Sequence, residues 1–562
     1  MHAMLAARHA LLAPRALVPS CAAQNPPCRL TMAVLSAKVT QDAPAKHSLS
    51  VAVVGCGAAG LAAARELLRA GHRVTVLEAR PNVGGVWDYT EEVEDDPLGH
   101  GQRPVHGSMY RDLRTNLPRE VMGFLDYPFD AAFPGSQDNR QFCGHAEVQR
   151  YLEAFAAEFD LLRHVQLGTE VRRVARSKTG SDADTNGSSG SSGSGGAPPE
   201  WPRWEVTTSQ SAAQAAHRQQ EQQQQDGAAS TSTHTYDAVV VANGHYSRTR
   251  LPAIPGQAAF PGEVMHSHNY RTPERFKGLR VLLLGASSSG VDIAEEIANA
   301  GAKQVLLCAR EWENPLTGEV LDITDSSLPG SSKASNSANG TASSGVTKAA
   351  NLAALHADGA ASLADGSRIE GVDVVMFCTG YEYSFPFLED GLVSVEDNRV
   401  GPLYQHVFPP ALAPTLSFVG LPWKIIPFPQ FELQSRWIAQ VLAGKAALPS
   451  REEMEWQTAE FYDSLAAAGV PQRYTHRQSG GVQWEYNQWL AAQCGEKIDL
   501  SWREQLYTSC GLSRKLNGGR YRDSVLPGAE AAEAAASEAA AAAWQHLRQA
   551  GNPAAAAQTA AA

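Results

Sequence analysis

The segment that most restricts how this chain can fold runs from Ser48 to Glu78. It begins with SLSVAVV, a short valine-rich run that reads as a buried parallel strand. The run enters Gly55-Cys56-Gly57-Ala58-Ala59-Gly60, and a helical pattern follows, LAAARELLRAG, with Gly71 as its C-cap. A second strand, Arg73 to Leu77, closes on Glu78, 18 residues past Gly60. This is the strand, glycine loop, helix, strand and acid of a dinucleotide-binding unit. Gly55 permits the tight turn, Gly57 lets a pyrophosphate approach the backbone, and Gly60 lets helix and strand touch. The helix start around Ala58 and Ala59 offers amide donors and a positive dipole to the diphosphate. Glu78 is placed to accept from ribose hydroxyls.

The pattern recurs downstream. LRVLLL, residues 279–284, leads into Gly285-Ala286-Ser287-Ser288-Ser289-Gly290, then the helix VDIAEEIANAG and a strand from Gln304 to Cys308. The middle glycine is replaced by Ser287, which puts a Cβ where a pyrophosphate would come close but adds a hydroxyl donor. Arg310 lies 20 residues past Gly290, where an acid would favour a bare ribose. A guanidinium there suits a 2′-phosphate, although a surface charge after a strand would look the same. Two such units imply hydride transfer between two bound nucleotides. Between them, Gly84-Gly85-Val86-Trp87 suggests backbone passing close to a flat ligand.

Composition limits the alternatives. The chain has 562 residues, with 47 Lys and Arg against 59 Asp and Glu, a net charge of −12. That balance does not suit a nucleic-acid binder. The eight cysteines form no CxxC pair, so neither a zinc site nor a dithiol is expected, no metal ligands are assigned, and the thiols read as reduced in an intracellular compartment. No apolar run is long enough for a transmembrane helix. Residues 1–47 read as a disordered extension or a transit peptide, because residues 1–41 are basic, acid-free and rich in Ala and Leu. Cytoplasm, plastid and mitochondrion all stay open. Low-complexity stretches at 177–200, 209–233 and 326–348 read as disordered insertions on a folded body. The Ala-rich tail, 516–562, reads as a frayed helix with little to hold it.

Further motifs fall in order. Phe260-Pro261-Gly262-Glu263-Val264-Met265-His266-Ser267-His268-Asn269-Tyr270 fits FxGxxxHSxxY. With GGVW at 84–87, Thr115-Asn116-Leu117-Pro118 and Phe377-Cys378-Thr379-Gly380-Tyr381, it resembles the flavin-containing monooxygenases. LYQHVFPPALAP and GLPWKIIPFPQFELQS, within Val400–Ser450, most resemble the plant-type S-oxygenating branch.

The resemblance implies an α/β chain with two Rossmann-like domains, the NADP domain inserted into the FAD domain. The expected division is 48–250 and 367–515 for FAD and 251–366 for NADP. It implies FAD and NADPH as cofactors, with O2 and a small nucleophile, a sulfide or tertiary amine, as substrates oxygenated through a flavin hydroperoxide. Asn116 is the expected catalytic residue, since a neutral amide hydrogen-bonds without supplying an acidic proton. Expected cofactor contacts are Gly55, Gly57, Ala58, Ala59, Gly60, Glu78, Gly85, Trp87 and Asn116, then Gly285, Ser287, Ser288, Ser289, Gly290, Arg310, Thr379 and Gly380. His266, Ser267 and Tyr270 are either conformational or chemical. Trp423 to Phe431 either lines a substrate pocket or is core. A pyridine-nucleotide disulfide reductase would need a dithiol that is not there. An auxin-type or Baeyer–Villiger-like enzyme acting on a carbonyl, and an NADPH oxidase or flavin redox sensor, are the alternatives.

Overall fold

The structure, a computed structural model, describes residues 48–101, 105–177, 201–210, 231–312 and 345–550. Two five-stranded parallel sheets organise it. The first runs Leu416–Phe418, Ala238–Val241, Ser50–Val54, Arg73–Leu77, Val165–Gln166. Its centre is almost wholly aliphatic, and Val51, Ala52, Val53, Val239 and Val240 are completely buried, as a sheet covered on both faces demands. The helix Ala58–Arg69 covers one face and is buried from Ala58 to Leu67. Its alanines let the helix Pro427–Leu442 pack closely against it.

The second sheet runs Val346–Ala350, Gln304–Ala309, Arg280–Leu284, Val374–Phe377, Glu263–His266, again all parallel. Its helix, Ser288–Asn299, buries only Gly290, Ile293, Ala294 and Ile297. The expected return to the first lobe at 366/367 is placed too early. Val374–Phe377 is a strand of the second sheet, between Arg280–Leu284 and Glu263–His266. A fully buried VVMF run belongs inside a sheet, and the motif that follows it begins only at its end.

The chain passes between the lobes through a narrow neck. Arg248–Thr249 on the way out pairs antiparallel with Tyr381–Glu382 on the way back. The Arg250 amide donates to the Gly380 carbonyl at 2.9 Å, and the Thr379 hydroxyl donates to the Arg250 carbonyl at 2.5 Å.

The expected insertions fall largely outside the described residues, as do residues 1–47. Their flanks, however, are strands. Thr231–Tyr236 pairs with Trp204–Gln210, which pairs with Thr169–Arg176, and Val346–Ala350 edges the second sheet. Alternating Ser and Thr suits a pleated, half-exposed strand better than a disordered loop.

The tail is a helix, Glu530–Ala550, but it is held. Ala532 and Ala536 are buried in the first lobe's core, Trp544 Nε1 donates to the Asp130 carboxylate at 3.0 Å, and its ring meets Tyr127 edge-on. One tryptophan supplies the anchor that alanine lacks. No helix among the described residues is long and apolar enough to cross a membrane.

Candidate functional site

The first glycine loop leaves no room for side chains. Gly55 has φ +100°, and a Cβ there would stand 2.6 Å from the Ala242 carbonyl oxygen. A Cβ on Gly60 would stand 1.9 Å from the Gly55 carbonyl oxygen. Gly57 and Gly85 touch backbone to backbone, since a Cβ on Gly85 would lie 2.8 Å from the Gly57 Cα. The GGVW turn is therefore part of the same cradle. Arg80 holds it by donating to the Gly85 carbonyl at 3.0 Å and pairing with Asp88 at 2.8 Å. Trp87 packs edge-on against buried Phe428. No side chain caps the start of Ala58–Arg69, so its first amides stay available to an anion. These residues fit a dinucleotide phosphate.

Glu78 does more than expected. Its carboxylate accepts from the Cys56 amide at 2.7 Å and from the Arg80 amide at 2.9 Å, bracing the loop. A carboxylate has about four lone-pair sites, so a ribose hydroxyl can share it.

The second loop repeats the geometry with one change. A Cβ on Gly290 would be 1.8 Å from the Gly285 carbonyl oxygen, and Gly285 has φ +116°. Ser287 takes the N-cap position with ordinary extended backbone, and its hydroxyl makes no capping bond. Ser287 and Ser289 are exposed and Ser288 is half-buried, so hydroxyls and uncapped amides present one anion-binding end. Arg310, exposed at the end of Gln304–Ala309, lies beside Tyr474 from the first lobe. Burial pushes that phenol up, but the contacts with Arg310 and Arg473 outweigh it and hold it below its usual range.

Asn116 sits on a loop tied at both ends. The Thr115 amide donates to the Cys143 carbonyl at 2.8 Å, just before the helix His145–Glu158, whose Gln149 packs against Gly84 and donates to the Val83 carbonyl at 2.9 Å. The Asn116 carbonyl accepts from Arg514 at 3.3 Å and from the Cys510 thiol at 3.6 Å. The Asn116 side chain is exposed and makes no hydrogen bond with the described residues. Its backbone is fixed and its amide is free.

The FxGxxxHSxxY segment bridges the lobes through buried contacts. His266 Nδ1 accepts from the His268 amide at 3.0 Å, and its ring meets Tyr381 edge-on. Burial, then the neighbouring His268, lowers its pKa to about 3, so it stays neutral and cannot relay protons near neutrality. Tyr270 donates to Glu296 at 2.7 Å, on the helix of the second glycine loop. Glu94 accepts from the amides of Gly101 and Val105 at 2.9 and 3.1 Å and meets His268 Nε2 at 3.2 Å, strapping the loop before Gly101 to the segment. These contacts tie the segment to both lobes, and the Thr379 hydroxyl is engaged on the neck.

Sequence reasoning missed an aromatic group at the carboxyl end of Ala238–Val241. His245 packs against Tyr246 and Tyr383, and Tyr246 meets Tyr381 edge-on. Tyr246 itself is 47% exposed. Burial lowers the His245 pKa to about 4. The signal was present, since ligands gather at the carboxyl ends of parallel strands and Asn243-Gly244 follows one directly. Within Trp423–Phe431, Ile426 and Phe428 are core, while Trp423 is half-buried and Lys424 exposed. Cys56, Cys143, Cys308, Cys378, Cys494 and Cys510 are all buried, and none of them forms a disulfide among the described residues. Burial raises each of these thiols, Cys378 to about 12. Among the described residues no three metal-ligating side chains gather.

A family model described as flavin-binding monooxygenase-like matches residues 48–191, 204–317 and 343–504. Flavin-containing monooxygenase FMO GS-OX-like 2 of Arabidopsis thaliana is 45% identical over 465 residues, 82% of this chain and 88% of the relative. Flavin-containing monooxygenase FMO GS-OX5 of the same plant is 41% identical over 488 residues, 85% of this chain and 91% of the relative. Among solved structures, the S-allyl-L-cysteine S-oxygenase of Allium sativum superposes with a TM-score of 0.73 at 40% identity, covering 88% of this chain and 99% of that one.

Proposed function

The chain belongs to the flavin-binding monooxygenase-like family, and from that premise we propose that it oxygenates small thioethers at sulfur, using NADPH and O2. Its relatives' names favour sulfur over nitrogen: one is an S-oxygenase of an allyl-substituted cysteine, 40% identical over nearly its whole length. Bound flavin supplies the activation of O2 and the transfer of one oxygen atom to the nucleophile, and NADPH supplies the hydride. The rest falls to this chain's residues.

The first loop, with Gly57 against Gly85, takes the flavin dinucleotide at the start of Ala58–Arg69. The second, at Ser287–Gly290, takes the NADPH pyrophosphate, and Arg310 takes the 2′-phosphate. The observation that carries the reading is Asn116, a fixed backbone with an unengaged neutral amide. That amide can donate to a developing oxygen anion without releasing a proton to it. Neutral His266 likewise adds no acid. Tyr246, Tyr381 and Tyr383 narrow the access of water from the lobe boundary.

Mixing flavin-loaded protein with NADPH and a small carboxylated thioether in aerated buffer tests this. Sulfoxide forming in step with NADPH consumption is the expected result. Peroxide released one for one with NADPH, and no sulfoxide from any thioether tried, overturns it. Asn116→Ala is expected to lower sulfoxide formed per NADPH by about 10-fold or more, as loss of one well-placed donor does.

A further inference from the structure

Arg522 stands where three parts of the molecule meet. Its Nε donates to the Thr115 carbonyl at 2.9 Å, one residue before Asn116. Its two terminal nitrogens fork onto the Asp292 carboxylate at 3.2 and 2.6 Å. Asp292 lies on Ser288–Asn299, the helix whose start forms the second glycine loop. The two side chains are only 11% and 17% exposed. The segment carrying Arg522, Gly518–Asp523, lies beyond residue 504, where the family match ends.

The neighbouring contacts make this a clamp. Arg514 Nη2 bonds both the Asn116 carbonyl and the Tyr521 hydroxyl, at 3.3 and 2.9 Å. Asp523 accepts two bonds from Arg114 at 2.8 and 3.0 Å. Tyr521 packs edge-on against Phe142. On the other side Asp292 reaches Tyr110 at 3.4 Å, and Glu295 lies against Gly519. The carboxylates of the second helix thus touch the segment whose Arg522 grips the Thr115 carbonyl and whose Tyr521 holds Arg514 at the Asn116 carbonyl. A bidentate guanidinium–carboxylate pair fixes direction as well as distance.

We propose that Arg522 is a positioning residue that couples nucleotide seating at Ser288–Gly290 to the placement of the Asn116 amide. This rests on the reading of the chain as a two-nucleotide monooxygenase. A nucleotide that draws on the helix start pulls Asp292 with it, because a short helix moves as a rigid rod. Arg522 carries that displacement to the Thr115 carbonyl. A shift of about 1 Å in a positioned group can cost on the order of 100-fold in rate, so a small movement suffices.

Two measurements test it on the flavin-loaded full chain. In the first, hydrogen exchange is followed at residues 113–117 with and without NADP⁺, and NADP⁺ binding is read by thermal shift. In the wild type NADP⁺ is expected to slow exchange there. In Arg522→Lys, which keeps the charge but cannot fork, and in Asp292→Asn, NADP⁺ should still bind while the slowing disappears. In the second, the peroxide released per NADPH is expected to rise about 10-fold in both variants, with KM for NADPH within about twofold. No slowing in the wild type, or equal slowing in the variants, overturns the proposal. So does loss of flavin or of NADP⁺ affinity with an unchanged peroxide ratio, which would make Arg522 a structural tie only. Should Arg522→Lys fail to hold flavin, Asp292→Asn decides alone, because it leaves the bond to Thr115 in place. The exchange arm needs no turnover, so a wild type that forms no sulfoxide counts against the monooxygenase reading and not against this coupling.

Discussion

The two glycine loops share one backbone plan and differ in their surroundings. In the first, the helix after the loop is buried along ten consecutive residues, and Glu78 ties the loop to the next strand. In the second, the helix buries four residues, an exposed Arg310 takes the acid's place, and the helix carries the half-buried carboxylates Asp292, Glu295 and Glu296. A nucleotide that stays bound suits a loop built into the core. One that exchanges each cycle suits a loop on a lobe with freedom to adjust. The shared parts are those that sterics dictate, and the differing parts are those that exchange requires.

Gly60→Ala and Gly290→Ala give the sharpest contrast. Each Cβ would overlap a backbone oxygen, at 1.9 and 1.8 Å, so each should cost about 3 kcal/mol locally. Gly60→Ala should yield protein that no longer retains flavin after gel filtration. Gly290→Ala should remain yellow and lose NADP⁺ binding. If both lose flavin, the lobes are not energetically separable and the comparison breaks.

Arg310→Ala should remove a charge-assisted contact of about 1.5–3 kcal/mol, raising KM for NADPH by about 10- to 100-fold and leaving KM for NADH nearly unchanged. Equal losses for both would show that Arg310 is not at the 2′-phosphate.

A third test uses pH. Burial raises Glu296 to about 7, against the pull of its bond from Tyr270. A carboxyl raised on folding keeps more protons in the folded state, so its contribution is complete below about 4.5 and is lost as pH rises through about 7. Glu296→Gln should flatten the fall in melting temperature between pH 5 and 8, by on the order of 1 kcal/mol after solvent screening. Half-buried His245 and buried His406 and His476, all lowered, act in the opposite sense and leave an acid-side loss that begins below about 6.5 in either protein.

The smallest effect is expected from Ser287→Gly. The backbone there is ordinary and the hydroxyl caps nothing, so KM for NADPH should move by less than about threefold. A larger rise would assign the Ser287 hydroxyl to the phosphate.

Both loops were legible in the sequence because each glycine answers a local steric demand and each valine run a burial demand. The lobe boundary was less so. Val374–Phe377 belongs to one sheet and the TGY that follows it to the neck, and a strand's sheet is decided by contacts about a hundred residues away. The tail was read from its alanines, whereas Trp544 decides its docking through Asp130. Asn116 was legible as a residue, but the hold of Cys510 and Arg514 on its carbonyl comes from nearly 400 residues downstream, where no local pattern signals it. His245 and Tyr246 were missed because an aromatic pair after a strand resembles ordinary core until its ring contacts with Tyr381 and Tyr383 are seen.

The neck has a consequence for the chain as a linear object. The outgoing strand Arg248–Thr249 and the returning strand Tyr381–Glu382 are direct neighbours, so the second lobe begins and ends at one point in space. The path between those strands can therefore be cut out and closed with no more than a hairpin turn. The second lobe is in that sense a cassette, exchangeable for another of different nucleotide preference without rethreading the first. Such a graft would have to rebuild the contacts made from outside the cassette, Arg522 with Asp292 and Glu94 with His268 among them.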